Sequence, residues 1–169
     1  DFLTRNRIAF SWSDPTRPGA DGQGGGPREG DRFPIVKLPD GRELVTPTLR
    51  ELADGLGLAT RPSRNIYDVI VVGAGPAGLA AAVYGASEGL ATLLVEREAP
   101  GGQAGTSSRI ENYLGFPTGL SGGELASRAL SQAQRFGAEI LVARTVDCLD
   151  LGGEAAGRAA PAGASEGRV

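Results

Sequence analysis

The chain has 169 residues, 17 basic against 20 acidic for a formal charge of −3, room for one ordinary domain with a small neighbour but not for two large ones. Histidine is absent and Cys148 is the single cysteine, which excludes Ser-His-Asp triads, imidazole-bound zinc, an intrachain disulfide and a Cys-x-x-Cys pair within these residues. The mildly acidic balance, with Lys37 the one lysine, does not describe a nucleic-acid surface.

In chain order, Asp1 to Asp14 mixes apolar and basic residues, and Ile8 to Trp12 predicts a short strand. A Gly-rich loop follows over 18–30, with six glycines and two prolines from Pro18 to Gly30. Phe33 to Leu38 and Arg42 to Val45 predict two strands joined by a turn at Asp40-Gly41. A helix from Thr48 to Leu56 comes next, ended near Gly57, and then a linker from Thr60 to Asn65.

The most regular stretch begins at Tyr67. Its β-branched run to Val72 predicts a strand, a glycine-rich turn leads to a helix from about Pro76 to Glu88, and Ala91 to Glu96 predicts a second strand. This is a β-α-β unit of a doubly wound parallel sheet, so the fold class is α/β with a Rossmann-like unit. The 19 residues between Asp68 and Glu88 are uncharged, long enough to suggest a membrane span, but Pro76, Gly73, Gly75, Gly78 and Gly85 interrupt them. No secretory signal pattern is visible, and a cytoplasmic location without membrane attachment is the expectation. A further helix from about Gly122 to Phe136 carries Leu125, Ala129, Leu130 and Ala133 on one face, and Glu139 to Val142 predicts the next strand. The tail from Gly152 to Val169, rich in Ala and Gly, is expected to be poorly ordered. The chain begins at Asp1 and contains no Met, and it reads as a fragment.

The strongest chemical signal is Gly73-Ala74-Gly75-Pro76-Ala77-Gly78 where strand meets helix. Gly73 suits a tight turn, Gly75 permits close approach of a pyrophosphate to the backbone, and Gly78 lets the helix lie near the sheet. The helix N-terminus then presents unpaired N–H groups to the phosphates. Glu96 ends the second strand, 18 residues after Gly78, where a carboxylate can accept hydrogen bonds from the adenosine ribose. Arg97 beside it is counted among the cofactor-binding residues for its similarity to a 2′-phosphate reader, although an exposed charge is the favoured reading. Cys148, flanked by Val146 and Leu149, reads as a small buried residue rather than a reactive thiol.

The glycine fingerprint alone leaves FAD and nicotinamide dinucleotides both open. The next segment separates them: Gly101-Gly102-Gln103-Ala-Gly105-Thr106, followed by Ile110-Glu-Asn112-Tyr-Leu-Gly115-Phe116-Pro117, resembles the flavin-binding region of the thioredoxin reductase family of FAD-dependent pyridine nucleotide-disulfide oxidoreductases. The resemblance runs from about Asn65 to Val146. It implies that Gly101 and Gly102 pass close to the isoalloxazine and that Gln103 and Asn112 offer it their amides. It also implies backbone contacts to the adenine near Arg144 and Thr145. Electrons would pass from NADPH through FAD to a disulfide or other acceptor, with a thioredoxin-like partner and a homodimeric parent protein.

NADPH is expected to bind outside this chain, and the fragment alone is expected to be inactive. The alternative is a non-catalytic flavin-binding sensory or partner-binding module. A purely NAD(P)-linked dehydrogenase is disfavoured by Gly101-Gly102-Gln103. Residues 1–62 are similar to the spacer before the reductase-like module of larger bacterial proteins, some of which carry a cyclic-nucleotide-binding or receiver domain. That similarity implies a degenerate, partial thioredoxin-like α/β segment with Phe33-Pro34 at its cis-proline. The expected organisation is therefore 1–62 as spacer, 65–150 as an incomplete FAD-binding unit, and 151–169 as a low-complexity tail.

Overall fold

A computed structural model describes residues 1–14 and 32–150. The Gly-rich loop and the Ala/Gly-rich tail lie outside the described residues.

The chain opens with a short helix α1 (Phe2–Arg5), then strands β1 (Ile35–Lys37) and β2 (Glu43–Val45), and helix α2 (Leu49–Gly55). β1 and β2 form an antiparallel hairpin in which Val36 faces Leu44 across the Asp40-Gly41 turn. Thr48 caps α2 through a capping box: its hydroxyl accepts from the Glu51 N–H, and the Glu51 carboxylate accepts from the Thr48 N–H. The Phe33-Pro34 peptide is cis.

The strand expected at Ile8 to Trp12 is absent. α1 occupies the preceding residues instead and ends in a Schellman closure, the Ile8 N–H donating to the Leu3 carbonyl with Arg7 in the left-handed region. A strand needs a neighbour to pair with, and residues 8–12 form no ladder with any described strand.

Residues 65–150 contain β3 (Val69–Val72), α3 (Pro76–Ser87), β4 (Thr92–Val95), a 3₁₀ turn (Ala104–Thr106), α4 (Gly122–Arg135) and β5 (Glu139–Leu141). The three strands form a parallel sheet in the order β3-β4-β5, with Val71 opposite Leu94 and Leu94 opposite Ile140. This is the α/β arrangement that the β-α-β pattern implies.

α3 and α4 share a core with one face of the sheet. Leu79, Ala82 and Ala86 from α3 meet Leu94 from β4 and Ala133 from α4, with Ala129, Leu130 and Ile140 packed around them. Small residues decide how close the helix lies: a Cβ at Gly85 would reach within 2.8 Å of the Thr92 hydroxyl. The opposite face buries Leu93, Val95 and Leu141 against Tyr67. On that face the edge strand β3 leaves Ile70 and Val72 exposed.

The expected linker from Thr60 to Asn65 is coil, yet it is tied down. Ser63 donates its N–H (2.7 Å) and hydroxyl (2.6 Å) to the Glu139 carboxylate at the start of β5, and the Tyr67 hydroxyl donates to the same group. The Thr60 hydroxyl donates to Asp54, and the Val142 N–H donates to the Ala59 carbonyl at 3.0 Å. Burial disfavours ionisation of Glu139, but the Ser63 and Tyr67 hydroxyls, the Ser63 N–H and the nearby Arg64 outweigh it and hold the carboxyl below its usual range.

Cys148 is exposed, contrary to the buried placement expected from its neighbours. The chain leaves the packed layer after the buried Arg144, and Val146 and Leu149 are exposed together with Cys148. Among the described residues no helix is long and apolar enough to cross a membrane.

Candidate functional site

The site lies where β3 and β4 end and α3 begins. Gly73 takes a φ of +94°, a conformation a side chain would strain, and its N–H donates to the Val95 carbonyl at 2.8 Å. The chain turns through Ala74 and Gly75 into α3, whose first position is Pro76, suited there because a first-turn N–H has no helical acceptor. Ala77 is exposed beside it on the first turn.

The three fingerprint glycines prove different in kind. A Cβ on Gly78 would lie 1.9 Å from the Gly73 carbonyl oxygen, so only glycine allows this helix to begin so near the strand end. A Cβ on Gly75 would meet nothing within 4 Å. The Gly75 face is therefore open, at the N-terminus of a twelve-residue helix whose first-turn N–H groups lack intrahelical partners.

Glu96, immediately after β4, does more than end a strand. One carboxylate oxygen accepts from the Ala74 N–H at 2.8 Å, and the other accepts from the Glu98 N–H at 2.9 Å. The side chain thus braces the glycine turn against the loop that follows β4. A carboxylate offers about four acceptor positions, so two remain for ribose hydroxyls. Arg97 next to it is exposed and pairs with Glu98 at 3.5 Å.

That loop brings the second glycine turn against the first. The Gly101 N–H donates to the Ala74 carbonyl at 2.7 Å, and a Cβ on Gly102 would sit 3.0 Å from the Gly75 Cα. Gly101 and Gly102 both take positive φ. Gln103 is exposed and leads into the 3₁₀ turn, its carbonyl accepting from the Thr106 hydroxyl at 2.8 Å. The N-terminus of α4 supports this turn from behind, because a Cβ on Gly122 would lie 1.6 Å from the Ala104 carbonyl oxygen.

Asn112 is exposed on the loop closed by the Ile110–Leu120 bridge, and its amide makes no hydrogen bond among the described residues. The structure therefore brings Gly73, Gly75, Gly78, Glu96, Gly101 and Gly102 into one continuous feature, with Gln103 at its rim. Asn112 and Arg97 are not joined to it by side-chain contacts.

Sequence reasoning missed Ala74, whose N–H and carbonyl bind the two halves of the site together, and Glu98, which anchors Glu96. Backbone groups leave no residue-type signal, so Ala74 was not recoverable from composition or spacing. Arg144 is buried with its N–H donating to the Glu96 carbonyl at 3.0 Å. Burial and the nearby Arg50 and Arg61 push its pKa down, opposed by Asp54.

Residues 68–142 match the family described as FAD dependent oxidoreductase. The thioredoxin reductase of Bacillus subtilis (strain 168) is 49% identical over 75 residues, 44% of this chain and 23% of that protein. The thioredoxin reductase of Listeria monocytogenes is 51% identical over 75 residues, again 44% and 23% of the two chains. Among solved structures, the atypical thioredoxin reductase TRi from Desulfovibrio vulgaris Hildenborough is 44% identical, covering 43% of this chain and 23% of that one, with a TM-score of 0.38. The chain spans about a quarter of the length of the curated relatives it matches. Residues 68–142 thus carry the match to the FAD dependent oxidoreductase family and are thioredoxin reductase-like in sequence.

Proposed function

We propose that residues 65–150 are the FAD-binding part of a thioredoxin reductase-like flavoprotein oxidoreductase, with 1–62 as a separate spacer segment and 151–169 as a tail. The observation that carries this reading is the meeting of two glycine turns at the start of α3, Gly102 against Gly75, braced by Ala74 and Glu96.

The donor set suits the cofactor. The open Gly75 face and the α3 N-terminus favour a pyrophosphate, and Glu96 retains acceptor positions for ribose hydroxyls. Gly101 and Gly102 let the second turn pack against its neighbours, Gly102 lying on Gly75, and the exposed Gln103 and Asn112 supply amides able to meet the mixed donors and acceptors of a flavin ring. Arg97 is kept as a subsidiary phosphate contact, since its guanidinium is exposed at the same strand end.

Bound FAD would supply hydride acceptance and electron transfer. This chain's residues contribute binding and orientation: the helix terminus neutralises phosphate charge, Glu96 fixes the ribose, and the second turn sets the ring's place. NADPH as donor and a thioredoxin-like disulfide partner as acceptor, with a cytoplasmic, homodimeric parent protein, complete the proposal.

The test is an FAD titration of the purified chain followed by flavin fluorescence, beside Gly75→Asp and with NADP as competitor. Saturable binding that NADP does not displace and that Gly75→Asp abolishes supports the reading. Preferential binding of NADP would overturn it.

A further inference from the structure

Arg5, at the end of α1, makes contacts across more than ninety residues of chain. Its Nη1 lies 3.3 Å from Oε2 of Glu98, and its Nη2 donates to the Ala99 carbonyl at 3.0 Å. Asn6 adds a third contact, its Nδ2 donating to the Glu98 carbonyl at 3.3 Å. The same amide group donates to the Phe2 carbonyl at 3.0 Å, which ties the clamp to α1 itself. Only 20% of the Arg5 side chain is exposed, so this is not a freely solvated ion pair.

The grip falls on the loop that orders the candidate site. Glu98 donates its N–H to the Glu96 carboxylate, Glu96 accepts from the Ala74 N–H, and the Ala74 carbonyl accepts from the Gly101 N–H. A run of hydrogen bonds, joined through the covalent frames of Glu98, Glu96 and Ala74, therefore leads from Arg5 to Gly101. Every link is a contact between polar groups of known distance, and the run ends in the second glycine turn.

We infer that Arg5 and Asn6 are positioning residues for the dinucleotide site. They hold Glu98-Ala99 in place, so that the Glu96 carboxylate is already oriented between Ala74 and Glu98 before a ribose arrives. The inference rests on the FAD reading of the site and adds to it a part supplied by the N-terminal segment, outside residues 68–142 that the family matches. Arginine suits the role because its planar fork serves a carboxylate and a carbonyl together, whereas a lysine ammonium lacks that fixed geometry. Pre-ordering matters for affinity because a ligand that must first order its loop binds more weakly by that cost.

The experiment uses the full chain with Arg5→Ala, Arg5→Lys and, as a control elsewhere on the surface, Arg42→Ala. Amide hydrogen exchange without cofactor is the first readout. Arg5→Ala should speed exchange at Ala74, Glu98 and Gly101 by about three- to tenfold, the scale of a charge-assisted contact in a partly exposed setting. Leu79 and Leu94 in the core should be unchanged, which a general loss of stability would not leave so.

In the FAD titration Arg5→Ala should weaken binding by a similar factor, Arg5→Lys should fall between, and Arg42→Ala should match the unaltered chain. Unchanged exchange at the three site amides overturns the inference whatever the titration gives. Altered exchange with unaltered FAD affinity also overturns it, while leaving the FAD reading intact. Failure of the unaltered chain to bind FAD overturns that reading, and the positioning role with it.

Discussion

Alanine substitutions at Gly78 and Gly75 should have opposite consequences, although the two glycines are three residues apart in one fingerprint. At Gly78 the added Cβ would lie 1.9 Å from the Gly73 carbonyl oxygen, where real Cβ contacts essentially never fall below 3.0 Å. Relief requires α3 or the turn to move by about 1 Å, because the obstacle is backbone and no side chain can swing aside. Overpacking of this kind costs about 1–3 kcal/mol and occasionally more, and the rigid obstacle puts it at the upper end. Against that stands a helix-propensity gain of about 1 kcal/mol for Ala over Gly. The net expectation is a loss of about 2 kcal/mol, read as a fall in Tm of about 4–8 °C.

Gly75→Ala meets open space at φ −72°, so the folded state accommodates it. Its stability should stay within about 0.5 kcal/mol, since lower entropy of the unfolded chain offsets the preference for glycine over alanine at an N-cap. Its FAD affinity should nevertheless fall by about tenfold or more, because the methyl group occupies the face a pyrophosphate approaches. Urea unfolding followed by circular dichroism, together with the FAD titration, separates the two effects. A Gly78→Ala chain that unfolds at the same urea concentration as the parent, or a Gly75→Ala chain that binds FAD unchanged, would refute these expectations.

Glu96→Gln keeps one carbonyl oxygen and turns an NH2 group toward the second donor, leaving the Ala74 or Glu98 N–H without its acceptor. A stability loss of about 1–2 kcal/mol and weaker FAD binding are expected from urea melts and titration, and an unaltered melt would show that the carboxylate braces nothing. The Glu139 carboxyl has a folded pKa below the ordinary value of 4.5, so its contribution is fully present above that value and is lost as pH falls through the lowered one. The Tm difference between the parent and Glu139→Gln should accordingly be constant near neutral pH and shrink on acidification; a difference that grows toward low pH contradicts the sign. Cys148 should react with a thiol reagent in the folded protein without denaturant, and protection until unfolding would show that it is covered.

The sheet and its helices were legible in the chain because their signals are local. The β-branched run before Gly73, the capped segment after Thr48, and the small residues Ala82 and Ala86 each act over one or two turns, and the elements appear within a few residues of their expected bounds. The glycine fingerprint was readable for the same reason: backbone conformations open only to glycine, as at Gly73, or closed to any Cβ, as at Gly78, mark the residue itself.

Tertiary structure alone decided what meets across long separations. The sequence pointed to Glu96 as a ribose acceptor but not to its bracing of Ala74 and Glu98, because both donors are backbone groups without a residue-type signature. It indicated a strand at Ile8 to Trp12 and a buried Cys148 from local apolarity, yet burial and pairing need a neighbouring layer, and neither segment has one. The Arg5 contact with Glu98 and the Ser63 contact with Glu139 depend on the path of the intervening chain, which no local pattern encodes.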